Sequence, residues 1–177
     1  MEPRTWDAAS AEQAGSLTGD EVKARLLESG EWTAIKARPF SKIADPSTTP
    51  RGLVGTAMDT RPHAVDPDLV IGEQSEAFVL GQELLAKMGD CPGYVCVAPT
   101  SNMPLAAHER IVSAAFDGPH PAGLAGTHVH FLQGASLTKL AWTIDYQDVI
   151  AIGRLFLDGV LFVDRVVSIS GPAALTP

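Results

Sequence analysis

Cysteine is scarce in this chain. Only Cys91 and Cys96 occur in 177 residues. Their spacing is not Cys-x-x-Cys, and no second pair completes a zinc site. They read as reduced thiols of a cytosolic compartment. Basic residues are also few: 13 Lys and Arg face 21 Asp and Glu, a formal net charge of -8. With no basic cluster, a nucleic-acid footprint is excluded. Electrostatic attraction to an anionic membrane surface is excluded too. No apolar run approaches the roughly 20 residues that span a bilayer. The opening Met-Glu-Pro-Arg-Thr-Trp-Asp lacks the basic and apolar regions of a signal peptide. Repeats and low-complexity stretches are absent. So are Gly-x-Ser-x-Gly and His-Glu-x-x-His, which removes two hydrolase signatures.

What remains is the composition of one globular domain, long enough to bury a core. Residues 1–18 are small, polar and aperiodic, and read as a frayed lead-in. The domain itself is expected over 19–172, with 173–177 as a tail. Gly19-Asp20-Glu21 opens a helix with Val22, Leu26 and Leu27 on one face, a Glu21/Arg25 pair, and Gly30 as its stop. A helical turn is expected at Glu31–Ala37. Asp66-Pro67 starts another helix. Ser75–Met88 is amphipathic, with Phe78, Val79, Gln82, Leu85 and Ala86 sharing a face. Gln147–Leu157 turns Val149, Ile150, Gly153 and Phe156 inward.

Buried, β-branched runs predict strands near 52–58, 94–98, 111–116, 140–144 and 165–170. Their alternation with helices predicts an α/β fold: a mostly parallel, Rossmann-like sheet of about five strands with flanking helices. Functional residues of such sheets lie beyond the strand carboxyl ends.

One unusual stretch follows the third strand: Gly118-Pro-His-Pro-Ala-Gly-Leu-Ala-Gly-Thr-His-Val-His130. A glycine-rich loop entering a helix can offer backbone N–H groups to a phosphate, which makes Gly123 and Gly126 candidate cofactor-binding residues. The spacing is neither Gly-x-Gly-x-x-Gly nor a P-loop. The plainer reading is a tight strand-to-helix crossover where backbone meets backbone. His120, His128 and His130 invite a metal reading, but no carboxylate or Cys nearby in sequence supplies a fourth ligand. Polar packing or helix-terminus hydrogen bonding is the default for them, with His120 and His128 also standing among the candidate cofactor-binding residues. Asp59 and Arg61, just past the first strand, form either a cofactor-hydroxyl site or a turn. Asp145 and Asp148 read as helix-capping residues.

Several phrases carry a resemblance. They are Leu26-Leu-Glu-Ser-Gly-Glu-Trp32, Arg38-Pro-Phe-Ser-Lys42, Thr56-Ala-Met-Asp-Thr60, the glycine-histidine stretch Gly118–Phe131, Tyr146-Gln-Asp-Val-Ile-Ala-Ile-Gly153 and Arg165-Val-Val-Ser-Ile-Ser-Gly-Pro172. Together they make the chain resemble the A subunit of the Na+-translocating NADH:quinone oxidoreductase, from about Gly19 to Pro172. The resemblance implies a middle domain of a longer polypeptide, peripheral on the cytoplasmic side of the bacterial inner membrane. Its implied partners are the other subunits, a membrane-embedded one above all, with ubiquinone contact as the sharper version. NADH, flavins, iron–sulfur centres and ubiquinone then belong to the whole complex, and no cofactor or metal is expected on this segment.

A more distant similarity is to the FMN- and NADH-binding subunit of respiratory complex I and to the C subunit of the Rnf complex. In those, a loop of many glycines wraps the flavin. The matching place here, Glu28–Phe40, has one glycine, and Trp32, Ile35 and Arg38 fill it. The nicotinamide-binding glutamates are replaced by Asp59-Thr-Arg-Pro62. The implied role is assembly and support of the quinone-reducing end, with both cofactor sites lost and no catalytic residue. The competing expectations are a stand-alone nucleotide-binding domain using Gly118–Gly126 and a metal-dependent hydrolase on the three histidines.

Overall fold

The carboxyl ends of four parallel strands form one edge of the molecule. In the computed structural model, which describes residues 5–171, these strands are β3 (Leu53–Thr56), β4 (Gly93–Val97), β5 (Ile111–Ala115) and β6 (Ala141–Asp145). Two short strands, β1 (Lys36–Arg38) and β2 (Lys42–Ile43), extend the sheet antiparallel from β6. The order is β2-β1-β6-β3-β4-β5. From β3 the chain steps outward to β4 and β5, then returns to place β6 on the other side of β3. The reversal between β3 and β6 is the topological switch point, where crevices form in open α/β sheets.

The helices are α1 (Ala11–Gly15), α2 (Gly19–Ser29), α3 (Pro67–Glu73), α4 (Ser75–Lys87), α5 (Ala125–Leu132) and α6 (Tyr146–Asp158). Their starts follow capping chemistry. Thr18 and Glu21 form a capping box on α2, Asp66 caps α3 ahead of Pro67, and Asp145 caps α6. Helices α1 to α4 and α6 share one core with the sheet, built on Leu26, Phe78, Leu84, Trp142, Ile144, Ile152 and Phe156. On the other face, Val129 of α5 packs with Val54, Cys96 and Ala141. Helices α4 and α6 pack backbone to backbone. Gly81 faces the Val149 carbonyl and Gly153 faces the Ala77 carbonyl, and neither site has room for a Cβ.

The α/β class, the mostly parallel sheet and the four parallel strands agree with the sequence expectations. Four details differ. First, residues 165–170 are not a sheet strand: the chain from 161 to 170 has no regular secondary structure. Their alternation reads as a strand, but a strand needs a partner and the sheet offers none there. Second, the helical turn expected at Glu31–Ala37 stops at Ala34 as a 3-10 turn, and Lys36–Arg38 then pairs with β6. Third, the expected lead-in is partly folded. Ser10 and Gln13 form a capping box on α1, Ala14 is fully buried, and the Trp6 amide donates to the Gly159 carbonyl. Fourth, Glu21 is held by Thr18, and Arg25 donates instead to the Asp7 carbonyl. The expected tail, 173–177, lies outside the described residues.

Candidate functional site

A groove of about 590 Å³ opens at the switch point, lined by Thr56, Asp59 and Arg61 beyond β3, by Asp145 and Asp148 at the start of α6, by Lys36 and Arg38 of β1, and by Gly123–Thr127. It carries both signs of charge. The candidate residues Asp59, Arg61, Gly123 and Gly126 are brought together here.

Asp59 is engaged with its own loop. Its carboxylate accepts from the Arg61 amide at 2.9 Å and from Arg61 Nε at 3.0 Å, and pairs with Arg61 Nη2 at 2.5 Å. Burial pushes Asp59 up, but the hydrogen bonds from Arg61, with the charges of Arg61 and His120, leave its carboxyl below the ordinary value. This is the turn arrangement. Asp145 does what an N-cap does, accepting from the Gln147 amide at 3.0 Å. Burial holds its carboxyl above the ordinary range. Asp148 pairs with Arg165 at 3.0 Å instead of capping.

Thr60, between the two candidates, links the groove's walls. Its hydroxyl accepts from the Gly123 amide at 2.9 Å and lies 3.3 Å from His120 Nδ1. A Cβ on Gly123 would meet the Thr60 nitrogen at 2.7 Å and the Asp59 backbone carbon at 3.2 Å. So Gly123 is a place of close backbone approach, as the crossover reading expects, although its φ is not positive. Gly126 differs: it sits inside α5, and a Cβ there meets nothing within 4 Å. Within the crossover stretch the positive φ belongs to Gly118, at 122°.

The histidines part ways because 128 and 130 lie on a helix, where a step of two turns side chains to opposite sides. His128 is fully buried. Its Nε2 lies 2.9 Å from the Ala122 carbonyl, its Nδ1 lies 3.5 Å from Thr56 Oγ1, and its ring packs against Phe116 tilted by 44°, with centroids 4.4 Å apart. A carbonyl only accepts, so Nε2 carries the proton. Burial pulls the His128 pKa below its ordinary value, with the Ala122 bond opposing. The ring is a neutral packing element. His120 and His130 are exposed. Among the described residues, no group of three or more His, Cys, Asp and Glu side chains is placed to hold a metal ion.

Within Glu28–Phe40, Trp32 and Ile35 are buried core. Trp32 Nε1 donates to the Ala44 carbonyl at 2.7 Å, and its ring meets Trp142 edge-on at 5.4 Å. Cys91 is half-buried and free; Cys96 is buried and its thiol is pushed up to about 12. Neither carries a reactive thiolate. Sequence reasoning missed Lys36 and Arg38 as groove residues. The alternation Lys-Ala-Arg was the available signal, hidden by the helical expectation for the same stretch. Thr60 lies within the Asp-Thr-Arg turn, but nothing local shows that it meets residue 123.

The fold and groove define a doubly wound α/β domain whose switch-point crevice is spanned by its own side chains. The residues at 17–161 match the profile of the NqrA second alpha/beta domain, and the chain belongs to that family. It is similar to proteins named as the A subunit of Na(+)-translocating NADH-quinone reductase. The chain is 48% identical to that of Vibrio vulnificus (strain YJ016) and 46% to that of Vibrio parahaemolyticus serotype O3:K6, each over 173 residues. It is 45% identical to that of Glaesserella parasuis serovar 5 over 175 residues. Each match covers 98% of this chain and 39% of the relative.

Proposed function

We propose that this chain is the second α/β domain of the NqrA polypeptide in a Na+-translocating NADH-quinone reductase, and that it acts there as a supporting and docking part. The complex as a whole is the oxidoreductase. The chain contributes scaffold to it, with NADH, flavins, iron–sulfur centres and ubiquinone handled elsewhere in the assembly. Its partners are the other subunits, a membrane-embedded one foremost, at the quinone-reducing end. It sits peripherally on the cytoplasmic side of the bacterial inner membrane. Among the described residues, no helix is long and apolar enough to cross a membrane, which is consistent with a peripheral place.

The observation that carries the supporting role is that the Gly123 amide at the crevice is already taken by the Thr60 hydroxyl. A dinucleotide site keeps its glycine amides free for pyrophosphate and its acid free for ribose. Here the Gly123 amide is bonded to Thr60 and the Asp59 carboxylate to Arg61. If Glu28–Phe40 corresponds to the glycine loop of flavin-binding subunits, the buried indole of Trp32 leaves no room for a flavin there, which supports the same reading.

The test uses thermal shift of the purified chain and co-purification of the whole complex. NADH and FMN should leave the melting temperature unchanged, whereas a ligand at 100 times its Kd adds about 2.7 kcal/mol of stability. A complex whose NqrA lacks this domain should lose subunits on purification. A saturable NADH or FMN shift would favour the nucleotide-binding alternative. Full assembly without the domain would remove the supporting role.

A further inference from the structure

On the α4 face of the sheet, apart from the switch-point groove, lies a narrow cleft of about 40 Å³. It runs beneath α4 from Cys91 and Gly93, at the amino ends of the strands, to Ala57 and Tyr146 at the carboxyl ends. Two neighbouring strands leave room for it by presenting glycine. A Cβ on Gly55 would come no closer than 3.5 Å to another part of the chain, and one on Gly93 no closer than 3.8 Å. The lining is mostly apolar, and Gln82 and Tyr146 already have partners. Gln82 donates to the Pro104 carbonyl and accepts from the Ala106 amide, both at 3.2 Å, and the Tyr146 hydroxyl accepts from Gln147 Nε2 at 3.4 Å. Such a space suits apolar matter, not water.

Leu53, Leu85 and Cys91 also line a roomier groove of about 310 Å³, so the two spaces meet there. The groove has different chemistry, with Lys23, Ser47, Thr48 and Thr49 along it. Trp142 stands in its wall, 5% exposed, and the indole Nε1 is buried with no hydrogen-bond partner among the described residues. A buried N–H without an acceptor is costly, and most such groups in native proteins are paired.

The orphan donor has a cation for company. Lys23 Nζ lies 5.8 Å from the Trp32 ring centroid, and the Trp142 ring lies 5.4 Å from the same centroid. Lys23 donates one N–H to the Pro46 carbonyl and has two more. The nearby acids are engaged: Asp45 accepts from Ser47 at 2.8 Å, and Asp90 pairs with Arg110 at 3.2 Å.

We propose that groove and cleft together form a binding site for an unbranched aliphatic carboxylate. The carboxylate accepts the Trp142 N–H beside the Lys23 charge, and the tail enters the cleft past Leu53, Leu85 and Cys91. The cleft sets the shape of the tail. One water occupies about 10–15 Å³ and a benzene-binding cavity about 150 Å³, so the cleft takes a few methylenes in file and no ring.

Calorimetric titration of the purified chain with octanoate tests the proposal. Octanoate should bind saturably. Butyrate, hexanoate and octanoate should bind in rising order, by up to about fourfold for each methylene buried. Valproate, a branched isomer of octanoate with the same charge, should bind about tenfold more weakly or worse, because its tail cannot thread the cleft. Trp142→Phe keeps an aromatic ring without the N–H and should weaken octanoate about tenfold. Gly55→Ala puts a methyl into open space, so the fold should hold while octanoate falls toward the affinity of butyrate. A melting curve checks that fold, and the valproate comparison tests the cleft without any substitution. The absence of saturable octanoate binding overturns the proposal. Equal affinity for valproate, or octanoate binding that Trp142→Phe leaves unchanged, overturns it too, as adsorption without a site.

Discussion

The Gly123 amide donates to the Thr60 hydroxyl at 2.9 Å, with the two backbones too close for a Cβ between them. This contact ties the loop after β3 to the loop before α5. Gly123→Ala forces the new methyl against Thr60 and should cost about 1–3 kcal/mol in urea melts. Thr60→Val removes the acceptor and leaves the amide unpaired, a loss of about 1 kcal/mol. Because both changes disturb one contact, the double variant should lose less than the two losses added. Strict additivity would show that the contact is not shared.

Gly126 should behave in the opposite way. It lies inside α5 with open space where a Cβ would go. Gly126→Ala should stabilise by about 0.5–1 kcal/mol, because alanine loses less backbone freedom on entering a helix. An equilibrium melt of the variant checks the sign. A loss comparable to that of Gly123→Ala would contradict the geometry.

His128 makes stability pH-dependent. Its folded-state pKa lies below the ordinary 6.5, so the unfolded chain binds the proton first as pH falls. The neutral ring's contribution is whole above about pH 6.5 and is lost as pH falls from there through the folded-state value. Burial also raises Asp145 and Asp148. Those carboxyls act in the opposite sense, contributing below the ordinary carboxylate range and losing that contribution as pH rises through their folded-state values. His128→Gln keeps a donor for the Ala122 carbonyl and removes the titration. Subtracting its stability curve from the parent's should leave a fall between about pH 7.5 and 5.5, a window chosen to span roughly one unit either side of the ordinary histidine value. A flat difference would mean the ring does not titrate on unfolding. His128→Ala should cost about 2–4 kcal/mol, since it opens a cavity and strands a carbonyl.

Trp32 joins two elements through one ring. Trp32→Phe keeps most of the volume but leaves the Ala44 carbonyl without its donor, a cost of about 1–3 kcal/mol. Trp32→Ala also removes the contact with Trp142 and should cost about 3–5 kcal/mol. Denaturant melts of both variants check the order. Equal losses would show that the hydrogen bond contributes nothing beyond the packing.

The parallel strands were legible because each is a short, mostly apolar run between turn signals, such as the largely buried Leu53–Thr56 and Ala141–Asp145. Local chemistry also announced the helix starts at Asp66-Pro67 and Asp145. The strand at Lys36–Arg38 was not legible. Three residues carry too little periodicity, and β6, its partner, is about a hundred residues away. Residues 165–170 failed in reverse: their pattern is a strand's, but pairing is a property of two segments, and the second is absent from this sheet.

For the groove, sequence by itself determined which residue types stand beyond the strand ends: Asp59, Arg61, His120, Gly123, Gly126 and His128. It could not assign their roles. Only the tertiary structure decided that Gly123 closes against Thr60, that Gly126 is free, that His128 is buried and neutral, and that His120 is exposed. The reason is physical. Composition and spacing fix local conformation within a turn or two, whereas a backbone clearance or a buried ring depends on which distant segment the sheet order brings alongside.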